Sequence, residues 1–221
     1  MTQNIFIGLS IAALSLVSLL LSLMLFKKYR IKTSYAFWGM GVFLVFVTIM
    51  QEAIIYFGYW SEFFIQTYIF LIALLVGLIS IGSVLLLKSK IYRYIWIVYV
   101  TLASLVTFYY SYTLLVPQSI VVNGVIINNV VLPVMDVVAS SLLTIPAACV
   151  IIILALASFI KNKSYQPLLI ALGVVIITIA GTLYIVNFPV LLYYAQFIGI
   201  VVLFFGFISL PKKNISNGAN K

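Results

Sequence analysis

The chain contains no histidine, and only three of its 221 residues are acidic. Histidine is the side chain most used for metal ligation, haem ligation and proton transfer near neutral pH. Without it, and with so few carboxylates, there is little from which to assemble a general acid and a general base. The sequence therefore predicts no enzymatic activity, no metal site and no bound cofactor.

Cysteine and charge are also scarce. The single cysteine, Cys149, provides no disulfide framework, and its apolar neighbours predict a small buried residue. Charged residues make up 7% of the chain and hydrophobic residues 66%. A soluble domain is about a quarter charged and half apolar. This composition excludes a water-soluble fold.

Long apolar runs dominate what is present. A helix needs about 20 apolar residues to cross the hydrocarbon core of a bilayer. Runs of this kind predict seven spans, at Ile5–Phe26, Ser34–Phe57, Phe63–Leu87, Tyr94–Val116, Pro133–Ile160, Pro167–Val186 and Val190–Leu210. The predicted fold is an all-α integral membrane protein. A seven-transmembrane helix bundle forms a single domain over residues 1–211, followed by a short cytoplasmic tail at 212–221.

The twelve cations fall into four segments that alternating spans would place on one side of the membrane. They are Lys27, Lys28, Arg30 and Lys32; Lys88, Lys90 and Arg93; Lys161 and Lys163; and Lys212, Lys213 and Lys221. The positive-inside rule then predicts a multi-pass protein of the cell membrane with its N-terminus outside and its C-terminus cytoplasmic. Cations at helix ends are expected to attract anionic lipid headgroups, and they give no reason to expect a nucleic-acid partner.

The outer loop between the fourth and fifth spans has a hairpin pattern. β-Branched residues lie on both sides of Asn123-Gly124, from Ser119 to Ile127. An Asn-Gly pair in this setting is the strongest short signal for a two-residue β-turn. We expect a small β-hairpin over the outer mouth of the bundle, serving as a lid or as a plain connector.

An odd number of spans with like-directed ends is what two three-helix units joined by a linker helix would give. This plan resembles the three-plus-one-plus-three architecture of SWEET sugar transporters and TRIC cation channels. The motifs of those families are not matched. Pro117-Gln118 lies in a loop instead of a helix, and the triple-glycine signature of the channels is missing.

A second pattern extends along most of the chain and consists mainly of glycine and aromatic positions. They are Trp38, Gly39, Gly41, Glu52, Ala53, Gly58, Trp60, Tyr68, Ala73, Gly77, Gly82, Gln196, Gly199, Gly206 and Phe207. The pattern resembles small prokaryotic seven-helix membrane proteins, with Gln196 at a position expected to be Glu. The resemblance implies the fold and brings no activity with it.

Intramembrane ionisable residues are candidates for function because burying them is costly. Glu52 lies about six residues from the outer end of the second span, and Gln196 lies at a similar depth in the seventh. Other polar or aromatic residues lie at about the same depth: Gln51, Gln66, Tyr68, Tyr109, Tyr184 and Tyr194. Together with Glu52 and Gln196, they predict an outward-facing ligand pocket. The competing interpretation is that these side chains join neighbouring helices or lie at the membrane surface.

Several other positions have structural interpretations. Asp136 is predicted in the first turn of a helix opened by Pro133, where the helix dipole stabilises a carboxylate, and Glu62 in an exposed outer loop. Pro146 is expected to kink the fifth span, with Ser140, Ser141 or Thr144 available to bond the freed carbonyl. The tryptophans are predicted to be interfacial anchors, and six glycines to be sites of close helix packing: Gly77, Gly82, Gly173, Gly181, Gly199 and Gly206.

Three functions are compatible with these observations. The first is a receptor-like module that binds a small molecule from outside and acts through a membrane or cytoplasmic protein partner. The second is a transporter-like facilitator or channel of the three-plus-one-plus-three plan. The third is a structural subunit of a membrane complex.

Overall fold

A computed structural model describes residues 2–28, 33–59, 61–116, 121–122, 125–126, 133–163, 165–184, 197–203 and 205–206. The long helices are α1 (Thr2–Lys28), α2 (Thr33–Tyr56), α3 (Glu62–Val84), α4 (Lys90–Thr113), α5 (Val134–Asn162) and α6 (Tyr165–Tyr184). Residues 197–203 and 205–206 are also helical. Within the described residues, five helices, α1 to α5, are long and apolar enough to cross a membrane. This is the architecture of a helical, multi-pass membrane protein.

The largest difference from the predicted bounds is in α4. This helix begins at Lys90, four residues before the predicted start at Tyr94. Lys90 and Arg93 are therefore part of the helix and not of the preceding loop. Most of the predicted seventh span, Val190–Leu210, lies outside the described residues, so the count of seven spans and their orientation stay predictions.

The largest cluster of the hydrophobic core joins all the long helices except α4, whose Val100 and Ala103 belong to a second cluster with α3 and α5. This largest cluster contains Leu21, Leu25, Trp38, Val42, Ile79, Ile151, Ile170 and Leu203. These residues come from α1, α2, α3, α5, α6 and segment 197–203. Helix α4 packs against α3 and α5 at the edge of the bundle, which leaves the centre to the other elements.

Glycines allow close approach between these helices. A Cβ atom added at Gly77, Gly82, Gly173 or Gly206 would lie 3.1, 2.4, 2.6 or 2.8 Å from the nearest atom of a neighbouring helix. The packing prediction is confirmed at these four positions. Gly58 has a different role, because its φ of +92° follows the end of α2 and favours a residue without a Cβ atom.

Trp38 lies in the core, where it is packed between helices. Its side chain is 5% exposed, and its indole nitrogen donates to the carbonyl of Ile79 at 3.1 Å and to the hydroxyl of Ser83 at 3.2 Å. The prediction of an interfacial anchor is therefore wrong here, because α3 offers acceptors that satisfy a buried indole. Trp96 donates to the hydroxyl of Ser80 at 3.0 Å, and Trp60 lies outside the described residues.

Two further expectations need correction. Glu62 is not a loop residue but opens α3, and its Oε1 accepts a hydrogen bond from the backbone N–H of Val116 at 3.1 Å. Cys149 is exposed and not buried, because it lies on the outer side of α5. Asp136 lies in the first turn of α5 as predicted, where it is 1% exposed and accepts a hydrogen bond from Ser111 at 2.8 Å.

Pro146 interrupts the hydrogen bonds of α5, since it has no N–H to donate to the carbonyl of Leu142. Tyr99 on α4 supplies the missing donor, with its hydroxyl 2.5 Å from that oxygen. The sequence predicts a hydroxyl of α5 itself in this role, but Thr144 donates instead to the carbonyl of Ser140 at 2.9 Å. A side chain from α4 therefore satisfies the backbone of α5.

We expect Tyr99→Phe to destabilise the protein by about 1 kcal/mol, because the Leu142 carbonyl loses its donor. In a Pro146→Ala background the backbone N–H restored at position 146 can donate to that carbonyl. Tyr99→Phe should then lower the stability much less. Thermal unfolding of the two single variants and the double variant in detergent measures this coupling. Equal costs in both backgrounds would show that the hydroxyl does not act on the proline gap.

Two short strands lie between α4 and α5. β1 (Val121–Val122) pairs antiparallel with β2 (Val125–Ile126), so that Val121 is opposite Ile126. Strand β2 is in contact with α2. The turn residues Asn123 and Gly124 lie outside the described residues, and a hairpin that covers the bundle stays a prediction.

Candidate functional site

Glu52 and Tyr68 form a buried polar pair between α2 and α3. Glu52 is 6% exposed and Tyr68 is 4% exposed. The tyrosine hydroxyl donates to Oε1 of the glutamate at 2.5 Å. The two helices are consecutive and packed along their length, which places a residue near the end of α2 beside one in the first half of α3. The pair is therefore a buried polar contact between these two helices.

The second carboxylate oxygen of Glu52 is also buried. Within the part of the chain that the structure describes, Oε2 has no hydrogen-bond partner, and neither has Oε1 of the adjacent Gln51. A buried polar atom without a partner costs free energy. Glu52 therefore has an unused hydrogen-bonding position in an apolar region.

Glu52 also lines a cavity at the centre of the bundle. The cavity has a volume of about 180 Å³ and is lined by α1, α2, α3, α5, α6 and segment 197–203. Most of its wall consists of aliphatic side chains, and its polar members are Ser18, Thr48 and Glu52. Ser18 and Thr48 donate to carbonyls of their own helices, Leu14 at 2.7 Å and Val45 at 2.9 Å. The carboxyl group of Glu52 is therefore the strongest polar group in the wall.

The other predicted pocket residues are not all brought to this cavity. Gln51 is buried beside Glu52, whereas Gln66 donates to the carbonyl of Leu114 at 3.2 Å, at the end of α4. Tyr109 is 61% exposed, and its ring packs against Tyr110. The structure thus places Gln66 and Tyr109 away from the central cavity.

The remaining three predicted residues cannot be placed in the same way. Tyr184 ends α6, and its side chain is outside the described part of the structure. Tyr194 and Gln196 lie outside the described residues altogether. Their membership of the site stays a prediction.

The apolar part of the site is not predicted from the sequence. The prediction rests on the depth of polar residues in the membrane, while the cavity is defined by helix faces. Thr48 and Glu52 are four residues apart and so share one face of α2, and Ser18 faces them from α1. A search for polar side chains at helical spacing within apolar spans would have found this face.

A carboxyl group in a small apolar cavity can donate a hydrogen bond when protonated, or accept one or pair with a cation when ionised. It is suited to orienting one polar group of an otherwise apolar ligand.

Among the described residues, no three histidine, cysteine or acidic side chains lie together in a way that would hold a metal ion. No protein-family model, no curated protein and no solved structure matches the chain.

Proposed function

We propose that this protein is a multi-pass membrane module that binds a small, mainly apolar molecule in the central cavity, with Glu52 as the polar recognition group. The observation that supports this is a buried carboxyl group in the cavity wall, one oxygen of which has no partner among the described residues. The bound state is communicated to a membrane or cytoplasmic protein partner.

The cavity volume limits the size of the ligand. An apolar cavity of about 150 Å³ in another protein holds benzene, and this cavity measures about 180 Å³. Pockets for drug-sized ligands are larger, about 300–1,000 Å³. The ligand is therefore a small molecule of roughly six to ten non-hydrogen atoms on this comparison.

The proposed topology is a seven-span bundle with its N-terminus outside. Lys27 and Lys28 end α1, Lys88 follows α3, Lys90 opens α4 and Lys161 lies in the last turn of α5. In a bundle of alternating helices, all of these ends lie on one side, which the positive-inside rule assigns to the cytoplasm. An N-terminal tag that is accessible only from the cytosol would contradict this orientation.

Thermal unfolding in detergent tests the binding proposal with three probes that share a benzyl group: benzylamine, benzyl alcohol and toluene. Binding to the folded state raises the melting temperature. The two polar probes should raise it more than toluene does, because they can form a hydrogen bond with Oε2 of Glu52. Glu52→Gln should remove most of this difference, whereas Glu62→Gln, which changes a carboxylate outside the cavity, should retain it.

A second variant tests the location of the site without changing a polar group. Ala148 lines the cavity, and Ala148→Phe adds a ring that fills much of the space. We expect this variant to abolish stabilisation by all three probes. If its response equals that of the unmodified protein, the probes act elsewhere, for example on the micelle, and the proposal is wrong.

The alternative function is facilitated transport of a neutral solute. It is favoured by the lining of the cavity. Residues of α1, α2 and α3 and residues of α5, α6 and segment 197–203 all contribute, while α4 contributes no residue among those described. This is where a site between two three-helix units would lie. Flux of neutral solutes, from glycerol to disaccharides, into proteoliposomes tests it. Rates equal to those of protein-free vesicles would remove this alternative.

A further inference from the structure

The turn between α3 and α4 brings positive charge to the edge of an apolar groove. Lys88, Lys90 and Arg93 lie within six residues of one another. The groove has a volume of about 220 Å³. It is lined by Val84 at the end of α3, Leu87 in the turn, residues of α4 such as Tyr92, and residues of α5. The basic and apolar groups are thus adjacent in the sequence as well as in space.

Arg93 connects the two features directly. Its Nη2 atom donates a hydrogen bond to the backbone carbonyl of Leu87, which lines the groove. The Nε atom of the same guanidinium is buried and has no partner among the described residues. This contact places the guanidinium at the end of the groove that is next to the turn.

The acidic side chains of the chain do not neutralise this charge. Glu52 accepts a hydrogen bond from Tyr68, and Glu62 accepts one from the backbone of Val116. Asp136 is held by Ser111 at the start of α5, whereas the basic turn is near the end of α3. Lys88 and Lys90 are exposed. The positive potential at the turn is therefore available to an external anion.

We infer that this site binds a phospholipid with an anionic headgroup. One acyl chain lies in the groove between α3, α4 and α5, and the headgroup phosphate lies against Lys88, Lys90 and Arg93. The groove wall is almost entirely apolar, which suits a hydrocarbon chain. Basic residues next to a membrane surface attract anionic lipid headgroups.

Another basic turn provides a matched control. Lys161 and Lys163, at the end of α5, also place two cations at a helix end. The nearest groove residue on α5 is Leu154, seven residues earlier. If charge alone attracts the lipid, the two turns should behave alike. If groove and charge act together, only the turn between α3 and α4 should select an anionic lipid.

The test is lipid titration of the purified full chain by native mass spectrometry, using phosphatidylglycerol and phosphatidylcholine with identical acyl chains. We expect tighter binding of phosphatidylglycerol. The double variant Lys88→Gln/Lys90→Gln should weaken that binding about thirty-fold, which corresponds to about 2 kcal/mol for two lysines. The double variant Lys161→Gln/Lys163→Gln should bind phosphatidylglycerol with an affinity within about two-fold of that of the unmodified protein.

A third variant separates the groove from the charge. Ile153 is 62% exposed and lines the groove, so Ile153→Trp fills part of it without altering a cation. This variant should weaken binding of both lipids. Equal affinity for the two lipids in the unmodified protein, equal losses in the two lysine double variants, or full binding by Ile153→Trp would each overturn the inference.

Discussion

Replacement of Gly82 by leucine is expected to lower the stability of the protein by about 3 kcal/mol, the upper end of the usual cost of overpacking. The first added carbon would already lie 2.4 Å from Cδ1 and 2.7 Å from Nε1 of Trp38, and 2.9 Å from the backbone oxygen of Ser34. The indole cannot easily move aside, because it donates hydrogen bonds to Ile79 and Ser83. Helices α2 and α3 would have to separate.

Thermal unfolding in detergent measures this effect, and a loss of 3 kcal/mol corresponds to about 6 °C or more for a chain of this size. Gly8→Leu is the matched control. A Cβ atom at Gly8 meets nothing within 4 Å, and leucine has a higher helix propensity than glycine by roughly 0.8 kcal/mol. Gly8→Leu should therefore be neutral or stabilising. Equal melting temperatures for the two leucine variants would contradict the packing at Gly82.

The helical fold could be predicted from the sequence because hydrophobic length is a direct physical signal. An apolar run long enough to cross a bilayer has to satisfy its backbone hydrogen bonds internally, and a helix does so. The sequence predicts the start of α4 four residues too late, because Lys90 and Arg93 precede the apolar run and so resemble loop residues. In the structure Arg93 donates to the carbonyl of Leu87, a tertiary contact that the local sequence does not reveal.

Contacts between helices explain the other differences. A tryptophan near a helix end, such as Trp38, is typical of a membrane anchor. Its buried hydrogen-bond partner lies on α3, which the local sequence of α2 does not reveal. The donor to the carbonyl freed by Pro146 is likewise on another helix, at Tyr99. Periodicity within one helix indicates which residues share a face, but not which helix that face meets.

Only part of the candidate site could be predicted, because contacts between helices also form its wall. The sequence indicates Glu52 as a candidate because a carboxylate in an apolar span is unusual, and the structure places it beside Tyr68. The aliphatic wall of the cavity could not be predicted, because its residues come from six elements and resemble any other core residues. Depth in the membrane also grouped Tyr109 with Glu52, although Tyr109 is 61% exposed.

The energetic coupling between Glu52 and Tyr68 is expected to be about 2 kcal/mol. Tyr68→Phe removes the hydroxyl that donates to the buried carboxyl group at 2.5 Å. The variant leaves a buried acceptor without that donor, which costs about 1–3 kcal/mol. Tyr109→Phe is the control, since it removes a hydroxyl from an exposed side chain and should change stability by less than about 0.5 kcal/mol.

The double variant Glu52→Leu/Tyr68→Phe is expected to be as stable as the unmodified protein, or more stable. Replacing both partners of a buried polar pair by apolar groups of similar shape is often neutral or stabilising, because no desolvated polar group is left. The glutamate also has an oxygen without a partner among the described residues, so its removal relieves an additional cost. Unfolding of the two single variants and the double variant forms the cycle that measures the coupling.

This cycle also bears on function. A double variant that is stable but no longer responds to benzylamine or benzyl alcohol would mean that the polar pair does not serve folding and is used for binding. Additive losses, with the double variant less stable than either single variant, would mean that the pair holds α2 and α3 together. In that case Glu52 would be a structural residue, and the cavity beside it would lose its proposed recognition group.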